Sequence, residues 1–331
     1  MRLRQQTILG FSALVLSCAL ASAASLGTDY TSQYASSDLG TIAGLPTGYG
    51  GMTFLPNDPN TLLIGTNSLS TNAGIYSVSV LRDAQNHITG FSNPVFTAYA
   101  CSTTGGIDGG LAFGPNGILF YTSFPDNRIG EIQPGSTTSG HNVSLTTPGV
   151  GSSVGALSFL PTWLSSSTTT FKLASYSDSI WYTGTLTPTA GGYYNVTISP
   201  TTVNLPAATG PEGFTYVQAG STPLFTTNSV LITEYNTGDV SSYQIDANGD
   251  PILSTRQTFL TGLQTAEGAL IDPLTGDFLF SDSSDSDLTL VRQFTSLPSN
   301  DPPAVPLPSS AYAGLALLST LAAFRLSRRH A

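Results

Sequence analysis

The sequence predicts an all-β chain, a β-propeller of five blades with six as the alternative, followed by a C-terminal hydrophobic anchor helix. Three observations predict it. A glycine-led apolar segment recurs at a near-constant interval. Runs of β-branched and aromatic residues alternate with turn residues along most of the chain. An apolar stretch followed by arginines ends it.

The recurring segment is Gly50-Gly51-Met52-Thr53-Phe54, then Gly109-Gly110-Leu111-Ala112-Phe113, then Gly155-Ala156-Leu157-Ser158-Phe159. Glu212-Gly213-Phe214-Thr215-Tyr216 and Glu267-Gly268-Ala269-Leu270-Ile271 complete the set. Their fifth residues are separated by 59, 46, 57 and 55 positions. Each copy continues in one order. A strand such as Ile118–Tyr121 or Val230–Thr233 comes next, then a polar turn, then an alternating strand such as Arg128–Ile132 or Ser179–Tyr182. One further strand, for example Pro94–Tyr99 or Asn195–Ile198, separates copies. Four strands per unit, repeated radially, make a propeller. Five inner triplets have only four outer strands after them. The fifth is expected from the front of the chain, at Leu39-Gly40-Thr41-Ile42, which closes the ring and removes a free edge.

The ends read as targeting segments. Arg2 and Arg4 precede the apolar Ile8–Leu20 and the small residues Ala21-Ser22-Ala23, a signal-peptide pattern over 1–23. Val15-Leu16-Ser17-Cys18 offers a competing lipidation reading at Cys18. Residues 24–38 are then a lead-in, 39–294 the propeller, 295–304 a Pro/Ser-rich spacer and 305–331 a tail. The tail holds Val305-Pro306-Leu307-Pro308-Ser309, an apolar run Ala311–Phe324, and Arg325, Arg328 and Arg329. The run alone makes about 21 Å of helix at ~1.5 Å per residue. Flanking residues must help it span a ~30 Å hydrocarbon core, with the arginines snorkelling on the cytoplasmic side.

This tail resembles the PEP-CTERM sorting signal of Gram-negative bacteria, with Leu307 where that family has Glu. The resemblance implies an exosortase-type processing enzyme as partner. It also implies export of the body, anchoring at the cell envelope through the membrane helix, and release to the extracellular matrix.

The exported stretch carries five basic and twenty acidic residues, a formal charge of −15. Such a surface repels nucleic acid and anionic headgroups and favours cations or neutral ligands. Once the signal peptide is removed, Cys101 is the single cysteine, so stability must come from the apolar core rather than a disulfide.

The first column of the repeat, Gly50, Gly109, Gly155, Glu212 and Glu267, should ring one mouth of the central channel, because inner strands begin there. Asp108 stands one residue before it. The run Glu267-Gly268-Ala269-Leu270-Ile271-Asp272-Pro273 with Phe280-Ser281-Asp282-Ser283 resembles NHL-repeat and gluconolactonase-type propellers. That resemblance implies divalent-metal ligands at a carboxylate directly before a Gly, which here are Glu212 and Glu267, with Asp108 beside them. Ca²⁺ or another divalent cation is the candidate cofactor. Against it stands the reading of both glutamates as solvated loop residues.

Other acidic clusters read as turns. Asp282, Asp285 and Asp287 share a Ser-rich segment whose side chains can cap their own backbone, and Asp246–Asp250 reads as a hairpin turn. His87 and His141 are placed in polar loops, and no nucleophile elbow, zinc-ligand pair or phosphate loop is present. Tyr193 and Tyr194 are weighed as sugar-stacking or packing residues. No catalytic residue is expected. The reading is a binding or structural module for polysaccharide or another envelope protein, with a metal-dependent lactonase or other hydrolase as the alternative.

Overall fold

A computed structural model describes residues 24–68, 70–100 and 105–294. Its strands fall into five antiparallel sheets, one for each copy of the repeat. The first contains β3 (Met52–Leu55), β4 (Asp58–Thr66), β5 (Gly74–Arg82) and β6 (Ile88–Tyr99). The second contains β7 (Gly106–Phe113), β8 (Leu119–Phe124), β9 (Arg128–Ile132) and β10 (His141–Ser144). The third contains β11 (Val154–Phe159), β12 (Thr170–Ser175), β13 (Ile180–Pro188) and β14 (Tyr194–Asn204). The fourth contains β15 (Pro211–Val217), β16 (Ser229–Glu234), β17 (Asp239–Gln244) and β18 (Gln257–Thr261). The fifth contains β19 (Ala266–Ile271), β20 (Phe278–Asp282) and β21 (Asp287–Gln293). No α-helix occurs among the described residues, and none there is long and apolar enough to cross a membrane. The signal peptide, Cys101, the spacer from 295, the sorting motif, the anchor helix and the terminal arginines lie outside the described residues.

The N-terminal strand does complete the last sheet, but it is not Leu39–Ile42. β2 (Tyr34–Asp38) pairs with β21, from Tyr34 opposite Gln293 to Asp38 opposite Thr289. Tyr34 fixes this register. Its ring is buried against Phe259 and Phe278, so shifting the strand would pull a large aromatic out of the core. Strand geometry stops at Gly40, whose φ of 68° only glycine adopts readily, and Ile42 turns into the core instead. A second segment of the expected lead-in, β1 (Ser25–Leu26), pairs with β18 as a fifth strand of the fourth sheet. Residues expected to precede the propeller are therefore stitched into two of its blades.

The core is divided among the five junctions between blades. One apolar cluster joins sheets three and four through Trp181 and Phe214, whose ring centroids are 4.4 Å apart. Another joins four and five through Phe259 and Phe278, 5.1 Å apart and edge to face. The remaining clusters fill the other three junctions in the same way.

Candidate functional site

The inner strands approach one another closely where they begin. A Cβ added at Gly213 would fall on the carbonyl oxygen of Glu267 in the next blade, which explains the recurring glycine. Just there the pairing of inner to second strand slips. In the second sheet the slip lies between Ile107 and Leu111, in the fourth between Pro211 and Gly213, and in the fifth between Ala266 and Ala269. The extra residues of these bulges are re-aimed out of the ladder, and they include Asp108, Glu212 and Glu267. This is how a residue one place before the column, Asp108, comes to stand with two from within it.

A belt of hydroxyls holds the bulges in place. Thr122 Oγ1 accepts the Gly110 N–H at 2.9 Å and donates to Gly155 O of the next blade at 2.6 Å. Thr233 Oγ1 accepts from Gly213 N and donates to Glu267 O at 2.5 Å. Ser281 Oγ accepts from Gly268 N and donates to Gly50 O at 2.7 Å. Between the first and second blades the backbone does this alone, Gly51 N donating to Asp108 O at 3.0 Å. Each clasp ties one blade's strand to the carbonyl of its neighbour's column residue or, at Asp108, of the residue just before it.

The structure brings together the three carboxylates expected as ligands. One ligand oxygen from each of Asp108, Glu212 and Glu267 lies within 4.8 Å of the others. All three side chains belong to buried residues, exposed by 1%, 4% and 0%, so they are not solvated loop groups. Among the described residues, both oxygens of Asp108, both of Glu267 and Oε2 of Glu212 are buried with no hydrogen-bond partner. Burial pushes the Asp108 carboxyl up to about 6, with Glu212 and Ser153 offsetting part of the rise. Burial drives Glu212 and Glu267 well above the usual carboxylate range, reinforced by the charge of Asp108 on both and by Glu267 on Glu212.

Such a cluster is compensated in only two ways, by protons shared among the carboxyls or by a cation. The donor set suits a hard divalent cation, which takes oxygen ligands and tolerates varied geometry. Three carboxylates alone do not fill the shell of such a cation, so backbone carbonyls, solvent or a ligand would supply the rest. A vestibule of about 180 Å³ leads to Glu212 and is lined by Phe124, Ser153, Tyr176 and Tyr235. Tyr176 meets Tyr235 edge to face at 5.6 Å. Burial, then the charge of Glu267, raises the Tyr235 phenol above its ordinary value.

The remaining sequence candidates resolve differently. Asp282 accepts from Ser284 N and Asp285 N, capping its own turn as expected, and it also accepts from Gln264 N and Thr265 N of the loop before β19. Asp287 is pushed up to about 6 by burial and by Asp38, Asp282 and Asp285. Asp246 closes a hairpin turn by accepting from Asn248 N and Asp250 N. Of the histidines, His87 does lie in the loop between β5 and β6, whereas His141 begins a strand. His87 is buried and its Nδ1 lies 2.6 Å from Asp277 Oδ2, while His141 sits in β10 with Nδ1 2.7 Å from the buried Glu131. Tyr194 packs near Phe120, and Tyr193 lies over His141. The hydroxyl belt and the aromatic vestibule escape sequence reasoning. A Thr or Ser in a second strand is commonplace, and Thr122, Thr233 and Ser281 follow their column residues by 13, 21 and 14 positions, so no constant spacing marks them.

No protein-family model matches the chain, and no curated protein matches it. Solved structures similar to it include an auxiliary nutrient binding protein from Bacteroides thetaiotaomicron, with 9% identity, 79% of this chain and 76% of that one covered, and a TM-score of 0.44. A protein of the same description from Bacteroides ovatus has 13% identity, 78% and 76% coverage and a TM-score of 0.43. The PQQ-bound aldose sugar dehydrogenase from Streptomyces coelicolor has 12% identity, 77% and 84% coverage and a TM-score of 0.40. The fold assignment rests on the strand pairing itself, and none of these likenesses bears on ligand or activity.

Proposed function

We propose that this chain is an exported, non-enzymatic binding module whose propeller holds a divalent cation, Ca²⁺ being the first candidate, between Asp108, Glu212 and Glu267. The observation that carries the reading is the set of buried carboxylate oxygens without a donor. A frame this closely clasped does not otherwise keep three like charges together. The cation would be reached from the vestibule, whose rings suit a ligand with an apolar face. Polysaccharide or an envelope protein is the partner class in this reading. Export and retention rest on the signal-peptide pattern and the sorting-type tail, with an exosortase-type enzyme acting at 305–309.

The test is metal analysis of the purified protein beside Glu212→Gln and Glu267→Gln. Stoichiometric divalent metal in the parent chain, lost in both variants, is expected. Full occupancy in either variant, or a parent chain that neither carries metal nor is stabilised by added Ca²⁺, sinks the reading. The second reading, a metal-dependent lactonase, is favoured by one observation. Asp108 has a carboxylate oxygen within 4.8 Å of both glutamates and neither of its oxygens is hydrogen-bonded among the described residues, which is where a general base would be needed. Metal-dependent turnover of a sugar lactone, abolished by Asp108→Asn, would establish it. Fractionating cells that express the chain with and without 305–331 checks retention, and equal release of both forms counts against an anchoring tail.

A further inference from the structure

On the face of the ring away from the carboxylates, the turn after β17 reaches across to the third blade. Inner strands begin at the carboxylate mouth. Antiparallel succession therefore puts the end of β11, the start of β12 and the 245–250 turn at the opposite face. There the chain's one lysine, Lys172, is 1% exposed. Its ammonium donates to Thr183 Oγ1 at 2.7 Å and pairs with Asp250 Oδ1. The indole N–H of Trp181 donates to that same oxygen at 2.9 Å. Lys172, Thr183 and Asp250 line a cup of about 420 Å³ whose walls are otherwise Ser and Thr residues, Ala247, Asn248, Leu160 and Leu164.

We infer that this cup is a second binding site, one that takes a neutral, hydroxyl-rich ligand of the saccharide class. The inference rests on the chain being a binding module but not on the cation at the channel mouth. Asp250 is held through one oxygen by Lys172 and Trp181 while its side chain stays 21% exposed at the wall of the cup. That arrangement fixes a carboxylate as an oriented acceptor for ligand hydroxyls. Thr183 accepts from Lys172, so its own proton is free to be donated. Lys172 neutralises Asp250, so the cup offers no net charge to a cation. The excess of acidic over basic residues on the whole chain disfavours an anion. A neutral polyol remains, able to satisfy fixed donors and acceptors while a ring face lies on the leucine side chains. The volume lies within the roughly 300–1,000 Å³ usual for small-ligand sites. A buried ion pair adds little to stability compared with apolar packing, which is consistent with keeping one here for recognition.

The chain has two tryptophans. Trp181 is bonded to Asp250, and Trp163 follows Leu160 in the loop beside the cup. Tryptophan fluorescence of the full-length protein therefore reads occupancy directly. Maltotriose, cellotriose and mannotriose serve as neutral probes and trigalacturonic acid as the charged control. At least one neutral trisaccharide should give a saturable change. Affinity should fall by about tenfold or more in Asp250→Asn and in Thr201→Arg. Thr201 is exposed on the wall, so its arginine variant should obstruct the cup without lowering the melting temperature. EDTA and Glu212→Gln should leave binding unchanged. Three results would overturn the inference: no saturable change with any neutral probe, tighter binding of trigalacturonate, or undiminished binding in Thr201→Arg. Saccharide binding that disappears with EDTA instead places the sugar at the channel mouth and also overturns it, while leaving the cation reading standing.

Discussion

The channel mouth and the seam between the fifth and first blades both bury carboxylates, and they treat them in opposite ways. At the seam, Arg82 makes a bidentate pair with Asp272, at 2.7 and 2.9 Å, while its other protons go to Pro59 O, Asn86 O and Asn60 Oδ1. His87 meets Asp277 alongside, and Arg292 reaches Asp83 at 3.0 Å. Each seam carboxylate has a basic partner on the facing blade. At the mouth no basic partner is present among the described residues, and the carboxylates face one another. Buried charge that the fold matches is costly only when one partner is removed, whereas buried charge left unmatched waits for something the fold does not contain.

The contrast can be broken most severely at the seam. Asp272→Ala strands the Arg82 guanidinium, 9% exposed, and should destabilise the protein by about 3–5 kcal/mol in chemical denaturation. A loss below about 1 kcal/mol would mean that solvent reaches the seam. At the mouth the expected sign is reversed. Without a cation, the raised folded-state pKa values of Asp108, Glu212 and Glu267 make the native state bind more protons than the unfolded chain. Stability is then complete below about pH 4 and declines as pH rises through about 6 for Asp108 and through the raised values of the two glutamates. For Asp108 alone this amounts to about 2–3 kcal/mol. Saturating Ca²⁺ should flatten the decline, and Glu267→Gln in EDTA should reduce it, both visible in melting curves from pH 4 to 8. A cation-free protein equally stable across that range would remove the case for repulsion at the mouth.

Smaller effects sharpen the picture. Thr233→Val deletes both bonds of one clasp and should cost about 1–3 kcal/mol. If the clasp positions Glu267, the variant should also bind metal more weakly than stability alone explains, measured by titration well below its melting temperature. Arg292→Ala should be the mildest change, within about 1 kcal/mol, because that pair is 39% and 25% exposed.

Much of the architecture could be read in advance because a repeat reveals itself by comparison with its own copies. The five inner strands, the radial plan and closure by the front of the chain follow from that register. Glu212 and Glu267 were visible as carboxylates where other copies hold glycine. Asp108, one place off, needed the bulge to bring it level, and ladder slips leave no mark in composition. The closing strand was misplaced because Tyr34-Ala35-Ser36-Ser37-Asp38 lacks an apolar run, its identity depending on one aromatic that docks far away in the chain. Lys172 with Asp250, and Arg82 with Asp272, were hidden for the same reason. Partners supplied by a different blade have no fixed spacing to betray them.

The two short strands β1 and β2 carry a consequence for time rather than space. They lie at the start of the chain, yet one waits for β18 and the other for β21. Tyr30 hydrogen-bonds Gln257 across 227 positions of sequence. A molecule delivered N-terminus first must therefore keep its opening segment uncommitted until nearly everything else has arrived. Its slow step should be ring closure, and the vulnerable species is an almost complete circle with an open edge at each side of the gap.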